Sequence, residues 1–153
     1  MNFAEKEYVL QAAIRARAEW QKAGQAAQNC KDKIDMLRSS RTSPASPKYS
    51  GMPKAPAPDD GMGDYFIRLL ELEDQERRLL DYVRKKYIKF IVAESKVLKL
   101  IGSSKDPEIL ELRFLLDFSY SRIAGIYEIS ETSCRRRIRA AVESIEEGDG
   151  WEI

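Results

Sequence analysis

Apolar residues in the first forty positions recur at spacings typical of a helix. Residues 3–38 contain no proline and one glycine, Gly24, and they are rich in Ala, Gln, Glu, Lys and Arg, which favour helix. Because the apolar face is slim, one helix over residues 1–40 should pack against another helix. Its stripe, with steps of three or seven residues, consists of Leu10, Ala13, Trp20, Ala27, Ile34 and Leu37.

The helical pattern gives way to a segment rich in proline. Residues 39–63 hold five of the six prolines and three of the eight glycines. Such a composition buries little apolar surface and lacks a backbone donor at each proline. We therefore predict a flexible linker over residues 41–63, which is longer than the roughly 2–8 residues that most helix connections take.

Beyond the linker the apolar pattern becomes broader. Residues 64–101 predict a second long helix, which together with the first would form a coiled-coil-like helical hairpin. Its main stripe consists of Leu69, Leu72, Leu79, Val83, Tyr87, Phe90, Val97 and Ile101. Additional apolar residues widen this face beyond a two-helix seam, and we expect the surplus to support a homodimer. They are Phe66, Leu70, Leu80, Ile91 and Leu98.

After Gly102 the pattern changes to short helices. Asp106 is placed to cap a helix whose first residue is Pro107, and Ser119 and Ser130 are candidate N-caps for two more. The last two helices are separated by a three-residue turn, which describes a helix-turn-helix. The fold class is therefore all-α, with a C-terminal DNA-binding domain over residues 106–147. The three helices are expected at about 107–116, 120–126 and 131–146.

The third of these helices is expected to have two different faces. Cys134, Ile138 and Ala141 fall on one side and should point inward. Short hydroxyls at the helix N-terminus suit phosphate, and arginine can form two hydrogen bonds with guanine in the major groove. The candidate DNA-binding residues are Ser130, Thr132, Ser133, Arg135, Arg136 and Arg139.

Charge is unevenly distributed although the net charge is only +1. Residues 131–139 hold four arginines and one glutamate, whereas the last eight residues hold four acidic side chains and no basic one. A local basic patch can bind phosphates whatever the net charge. We predict an acidic tail over residues 148–153.

Composition argues against an enzyme. The chain has no histidine, which excludes a Ser-His-Asp triad and histidine-ligated zinc, and its two cysteines are too far apart in sequence for a zinc motif. We expect neither a cofactor nor a metal. No apolar run of 18 residues and no signal-peptide pattern occurs, so we expect a cytoplasmic protein without a membrane partner.

The stretch from Leu112 to Ile145, and in particular SYSRIAGIYEISETSCRRRIRAAVESI at residues 119–145, resembles the helix-turn-helix of region four in bacterial sigma factors. The shared features are the Ile-Ala pair, the Ile-Ser turn and the basic recognition helix. This chain departs from the pattern at Thr132 and Ser133, where many such modules carry glycine or lysine and then threonine. It departs again at Cys134, which replaces a common valine.

The whole chain is similar to small phage and prophage late-gene transcription regulators of the RinA and ArpU type. The likeness rests on a basic N-terminal helix ending near Leu37 and Arg38, a Ser/Pro-rich break, Leu-Glu repeats at residues 70–73 and the C-terminal module. It implies a regulator of phage or prophage genes in a bacterial host cell.

These observations predict a sequence-specific transcription regulator that reads the major groove of double-stranded DNA with helix 131–146. Two alternatives stay open. One is the DNA-recognition subunit of a packaging machine, similar to a small terminase. The other is a helical adaptor that contacts RNA polymerase without reading DNA. Ring-shaped oligomers would favour packaging, and a dimer on one promoter-sized site would favour regulation.

Overall fold

The computed structural model describes residues 1–42 and 62–151, which form helices and no strand. The expectation of an all-α fold with a long helix is confirmed for these residues. Most of the predicted linker, residues 43–61, lies outside the described residues, as do residues 152–153 of the predicted tail. The helices are α1 (Phe3–Leu10), α2 (Ala12–Thr42), α3 (Met62–Gly102), α4 (Pro107–Phe114), α5 (Tyr120–Tyr127) and α6 (Glu131–Glu143), followed by a 3₁₀ turn at Asp149–Trp151.

The predicted single N-terminal helix is wrong in one respect, because it is interrupted at Gln11. Gln11 has φ −76° and ψ −3° and caps α1, while α2 begins at Ala12. Leu10 and Ala13, on either side of the interruption, are both fully buried. No proline or glycine in the local sequence signals the break, and helical hydrogen bonds of 3.0 Å continue on both sides of it, from the Gln11 N–H to the Glu7 carbonyl and from the Arg15 N–H to the Gln11 carbonyl.

The chain divides into two compact units. The first consists of Met1–Gln21 and Lys85–Ile153, and the second of Lys22–Arg84. The long helices α2 and α3 each supply residues to both units.

The first unit has a core of large apolar side chains, and α6 packs in it against α1, α4 and α5. Burying one such side chain contributes about 1.5–3 kcal/mol. Trp20 lies half-buried in the same unit and stacks on Phe90, with ring centroids 5.6 Å apart. The largest fully buried side chains are Leu10, Val97, Ile101, Ile109, Leu110, Phe114, Ile123, Ile138, Val142 and Ile145.

The C-terminal segment is not the simple acidic tail that its charge predicts. Trp151 is only 6% exposed and belongs to the core of the first unit. Its indole N–H donates to the Glu146 carbonyl at 3.0 Å, and the Lys6 ammonium lies 5.5 Å from its ring centre. Lys6 is itself buried and donates to the Ile145 carbonyl at 3.1 Å. The segment therefore joins the core through one aromatic side chain, while its acidic residues Glu146 and Glu147 stay exposed.

Two helix ends in the first unit also differ from expectation. Asp106 stands at the N-cap of α4 but makes no capping hydrogen bond, because its carboxylate accepts from Arg137 at 2.6 Å. Helix α6 ends at Glu143 and not near Glu146. The hydroxyl of the C-cap residue Ser144 donates to the Ala141 carbonyl at 2.6 Å and accepts from the Lys105 N–H at 3.0 Å. This contact with Lys105, two residues before α4, favours a turn over a further helical residue.

The second unit buries mainly small side chains. Ala23, Ala27, Cys30 and Ile34 lie along one side of α2 and are buried. The Cys30 thiol donates to the Leu72 carbonyl of α3 at 3.4 Å. At the surface of this unit, Arg38 of α2 and Glu73 of α3 form an ion pair at 2.7 Å. The helical segments of this unit therefore contact each other through a narrow seam.

Candidate nucleic-acid interface

The backbone between α5 and α6 is fixed by two serine caps and one left-handed residue. Ser119 and Ser130 are the N-caps, as predicted, and their hydroxyls accept from the N–H of Arg122 at 3.2 Å and of Ser133 at 3.1 Å. Glu128 has φ 56° and ψ 41°, which ends α5. The Ile129 N–H then donates to the Ala124 carbonyl at 3.0 Å. The chain therefore turns between the two helices within three residues.

One face of α6 is anchored in the core. Cys134, Ile138, Ala141 and Val142 are buried, at the spacing of one helical face. From α5 the small Ala124 is also buried in this core, and a small residue at a helix crossing allows close approach. Burial raises the pKa of the Cys134 thiol, so this side chain is a packed apolar group and a poor nucleophile.

The opposite face of α6 is exposed and basic. The structure places five predicted site residues on α6 and the sixth, Ser130, at its N-cap. All six are exposed, and the hydroxyl of Ser130 also donates to that of Ser133 at 2.9 Å. The five on the helix are Thr132, Ser133, Arg135, Arg136 and Arg139.

The three predicted arginines differ in their surroundings. Arg135 pairs with Glu131 at 2.9 Å and Arg139 with Glu143 at 3.0 Å, each one helical turn away. The hydrogen bond with Glu131 raises the pKa of Arg135 above its usual value. For Arg136, no ion pair or aromatic contact is found among the residues that the structure describes. It is therefore the one of the three that meets a ligand without first giving up a partner.

The ring of Tyr120 contacts two guanidiniums of this region. The Arg135 guanidinium carbon lies 4.3 Å from the centre of the Tyr120 ring, and that of Arg113 lies 4.2 Å from the same centre. Arg113 also donates to the Phe118 carbonyl at 3.0 Å. Tyr120 thus stacks with two cations, an interaction worth about 0.5–1 kcal/mol at an exposed site. Sequence reasoning missed this contact, since residues 113, 120 and 135 come from three different helices.

Arg137 plays a different role from its neighbours. It pairs with Asp106, as described above, and stacks on Tyr127 at 4.3 Å. The hydrogen bond with Asp106 raises the pKa of Arg137, and burial raises that of Tyr127. Arg137 therefore joins α6 to the start of α4 and to the end of α5, which leaves it poorly placed to engage a ligand.

Within residues 1–42 and 62–151, no three side chains of the Asp, Glu, Cys or His type come together as a metal site. None of the helices in that part of the chain is both long and apolar enough to cross a membrane.

The chain matches no family model, and no curated protein or solved structure is significantly similar to it. The resemblance to sigma region four and to phage regulators therefore stays a prediction from the residues quoted above.

Proposed function

We propose that this protein is a sequence-specific DNA-binding transcription regulator and that α6 is its recognition helix. The observation that carries the proposal is the two-sided character of α6. Its inner face is locked into the core by Cys134, Ile138 and Val142, and its outer face presents Thr132, Arg136 and their neighbours to solvent. In this proposal α5, the turn and α6 form a helix-turn-helix, and the α2–α3 pair is the helical hairpin that precedes it.

The dimensions of α6 suit a major groove. Thirteen residues make a helix of about 20 Å, and the groove is about 12 Å wide, which admits one helix. A helix held on one side by a core keeps its position when the other side contacts a ligand. The Ser130 cap takes up the Ser133 N–H, so a phosphate at this end would meet the N–H groups of the two preceding residues and the hydroxyls of Thr132 and Ser133.

The three arginines are assigned different DNA contacts according to the ion pairs that they make in the free protein. Arg136 is assigned a base contact, since it can bind guanine bidentately without losing an ion pair. Arg135 and Arg139 must exchange Glu131 and Glu143 for DNA. Both pairs are exposed to solvent, which screens them, so little stability is lost when they are exchanged. The stack of Arg135 on Tyr120 limits its rotamers and so lowers the entropy lost on binding.

The first test uses duplexes enriched by the wild-type chain from a random library. We expect the triple change of Arg135, Arg136 and Arg139 to alanine to abolish specific binding, while circular dichroism stays unchanged. The matched control changes Arg68, Lys89 and Lys96 to alanine, which removes three exposed positive charges from α3. Retained binding by the α6 variant, or equal losses in both variants, would contradict the assignment.

A second variant separates base reading from simple attraction to phosphate. Arg136→Lys keeps the charge but loses the planar fork that binds guanine. Affinity for the enriched duplex should fall by about tenfold or more, whereas affinity for random duplex should be unchanged. Failure of the library to enrich at all would favour the adaptor that contacts RNA polymerase.

A further inference from the structure

Helix α3 carries a second apolar stripe that faces away from its buried side. Ile67 is 58% exposed, Leu70 is 64% and Ile88 is 61%, and Ile91 and Leu98 are exposed as well. The buried side of the same helix comes from other positions, such as Phe90 and Val97. Exposed apolar side chains that are grouped at both ends of one helix face favour an interaction surface over the scattered exposure that is normal on a folded protein.

The stripe follows a strict heptad rhythm. Steps of three and four residues lead from Ile67 through Leu70 and, further along, from Ile88 through Ile91 to Ser95. This is the spacing of a coiled-coil seam. Between the two apolar ends, the same steps fall on four charged residues of alternating sign, the half-buried Asp74 and the exposed Arg77, Asp81 and Arg84.

We propose that this stripe binds the same stripe of a second copy of the chain, with the two α3 helices antiparallel. The two-fold axis passes between the helices at the level of Leu79, which itself lies on the other side of α3. In this register a residue of one chain lies opposite a residue of the second copy when their two residue numbers sum to 158. The apolar ends pair with each other, Ile67 with Ile91 and Leu70 with Ile88 of the second copy.

The central charges select this partner and this direction. In the antiparallel register Asp74 faces Arg84 of the second copy and Arg77 faces its Asp81, so two-fold symmetry gives four pairs of opposite sign. A parallel dimer in register would place each charge opposite an identical one, which is unfavourable. The order of charges along the stripe is complementary to the same stripe in the opposite direction. Binding to an unrelated partner would not require this complementarity.

Contacts within one chain do not oppose the pairing. Asp74 lies 3.0 Å from Arg78 and 3.7 Å from Arg77 on its own helix, and these side chains are largely exposed. Asp81 also has interactions within its chain. Exposed pairs one turn apart are weak, so exchanging them across an interface costs little.

The experiment uses two complementary variants of the full chain, in sedimentation without DNA. The basic variant carries Asp74→Arg and Asp81→Arg, and the acidic variant carries Arg77→Asp and Arg84→Asp. The wild-type chain should be a dimer at tens of micromolar. Each variant alone should dissociate at least about 100-fold more readily, and an equimolar mixture should form a heterodimer.

A control keeps the size of the charge change but moves it off the stripe. Arg68→Asp with Lys89→Asp alters two exposed positions on another side of α3 and should leave the dimer intact. Circular dichroism of every variant checks that the helices persist. A monomeric wild-type chain, variants that dimerise like the wild type, or a mixture that stays monomeric would each overturn the proposal.

The relative direction of the two α3 helices is determined from the distance between two spin labels. Each label is attached at Arg68→Cys in a chain whose two natural cysteines are changed to alanine. The antiparallel register places the two labelled backbones about 33 Å apart along the axis. A parallel pair would bring them to within roughly 10–15 Å, at the usual separation of packed helices, and would contradict the proposal. Because none of these measurements involves DNA, their outcome is independent of the function assigned to α6.

Discussion

The two units of the chain differ most in the size of the side chains that they bury. The first unit buries residues such as Phe114, Ile123 and Ile138 completely. Among the residues of the second unit whose burial the structure describes, three of the four buried ones are small, Ala23, Ala27 and Cys30, and the fourth is Ile34. A seam of small residues lets helices approach closely but removes little apolar area from water. Regular helical structure therefore does not imply equal stability, and we expect the second unit to open more readily.

The test with the largest expected effect makes the same isoleucine-to-alanine substitution in each unit. Ile123 is 0% exposed and Ile34 is 2% exposed, so burial itself is matched. We expect Ile123→Ala to cost about 4 kcal/mol, because the surrounding core cannot collapse onto the cavity, and Ile34→Ala to cost about 2 kcal/mol.

Denaturant unfolding combined with amide hydrogen exchange measures both losses and assigns them to the units. Equal costs for the two variants would show that the second unit is packed as tightly as the first.

The two buried cysteines provide a second test, with a smaller expected effect, because each unit contains one of them. Cys134 is in the first unit and Cys30 in the second, and single-cysteine variants made with Cys134→Ala or Cys30→Ala separate them. Thiol labelling of a buried cysteine proceeds through local opening. We expect Cys30 to be labelled about tenfold faster or more, which corresponds to an opening free energy lower by about 1.4 kcal/mol.

Burial also raises the pKa of Cys134, so less of its reactive thiolate is present at a given pH in the folded state. Because the thiolate forms in the opened state, labelling of Cys134 should rise with pH and should go on rising above the pH at which an exposed thiol is already fully ionised. In urea the rates should become similar. Faster labelling of Cys134 than of Cys30 under native conditions would reverse the comparison.

The smallest effect concerns the turn that orients α6 in the first unit. Glu128 adopts the left-handed conformation, which glycine takes without the steric cost that a side chain incurs. Glu128→Gly should stabilise the protein by about 0.5–1 kcal/mol. The matched control Glu111→Gly, at an exposed position inside α4, should destabilise it by about 1 kcal/mol.

Thermal unfolding of both variants gives the sign directly. If both glycines destabilise to the same extent, Glu128 does not have the left-handed conformation in solution.

Much of the fold could be predicted because it depends on local signals. Pro107 at the start of α4 and the serine caps at Ser119 and Ser130 act through neighbouring backbone groups, so a reader of the sequence can locate them. Periodicity likewise identified Cys134 and Ile138 as the inner face of α6, and by elimination the exposed arginine face.

The features that escaped prediction all depend on residues far apart in the chain. Gln11 interrupts the N-terminal helix where two buried neighbours enter a core made largely of other helices. Trp151, in the predicted acidic tail, packs its ring into the same core. Arg135 meets Tyr120, and Arg137 meets Asp106, only because the helices pack as they do.

The sequence by itself determined where helices form and which residues on each are apolar, because these properties depend on residues within a few positions. Only the tertiary structure decided which residues of the predicted main stripe of α3 are buried, such as Phe90 and Val97, and which stay exposed, such as Tyr87. It also decided which arginine of α6 supports the fold and which is left without an ion pair. Those outcomes depend on which surfaces meet after the helices have formed, and no repeat of three or four residues contains that information.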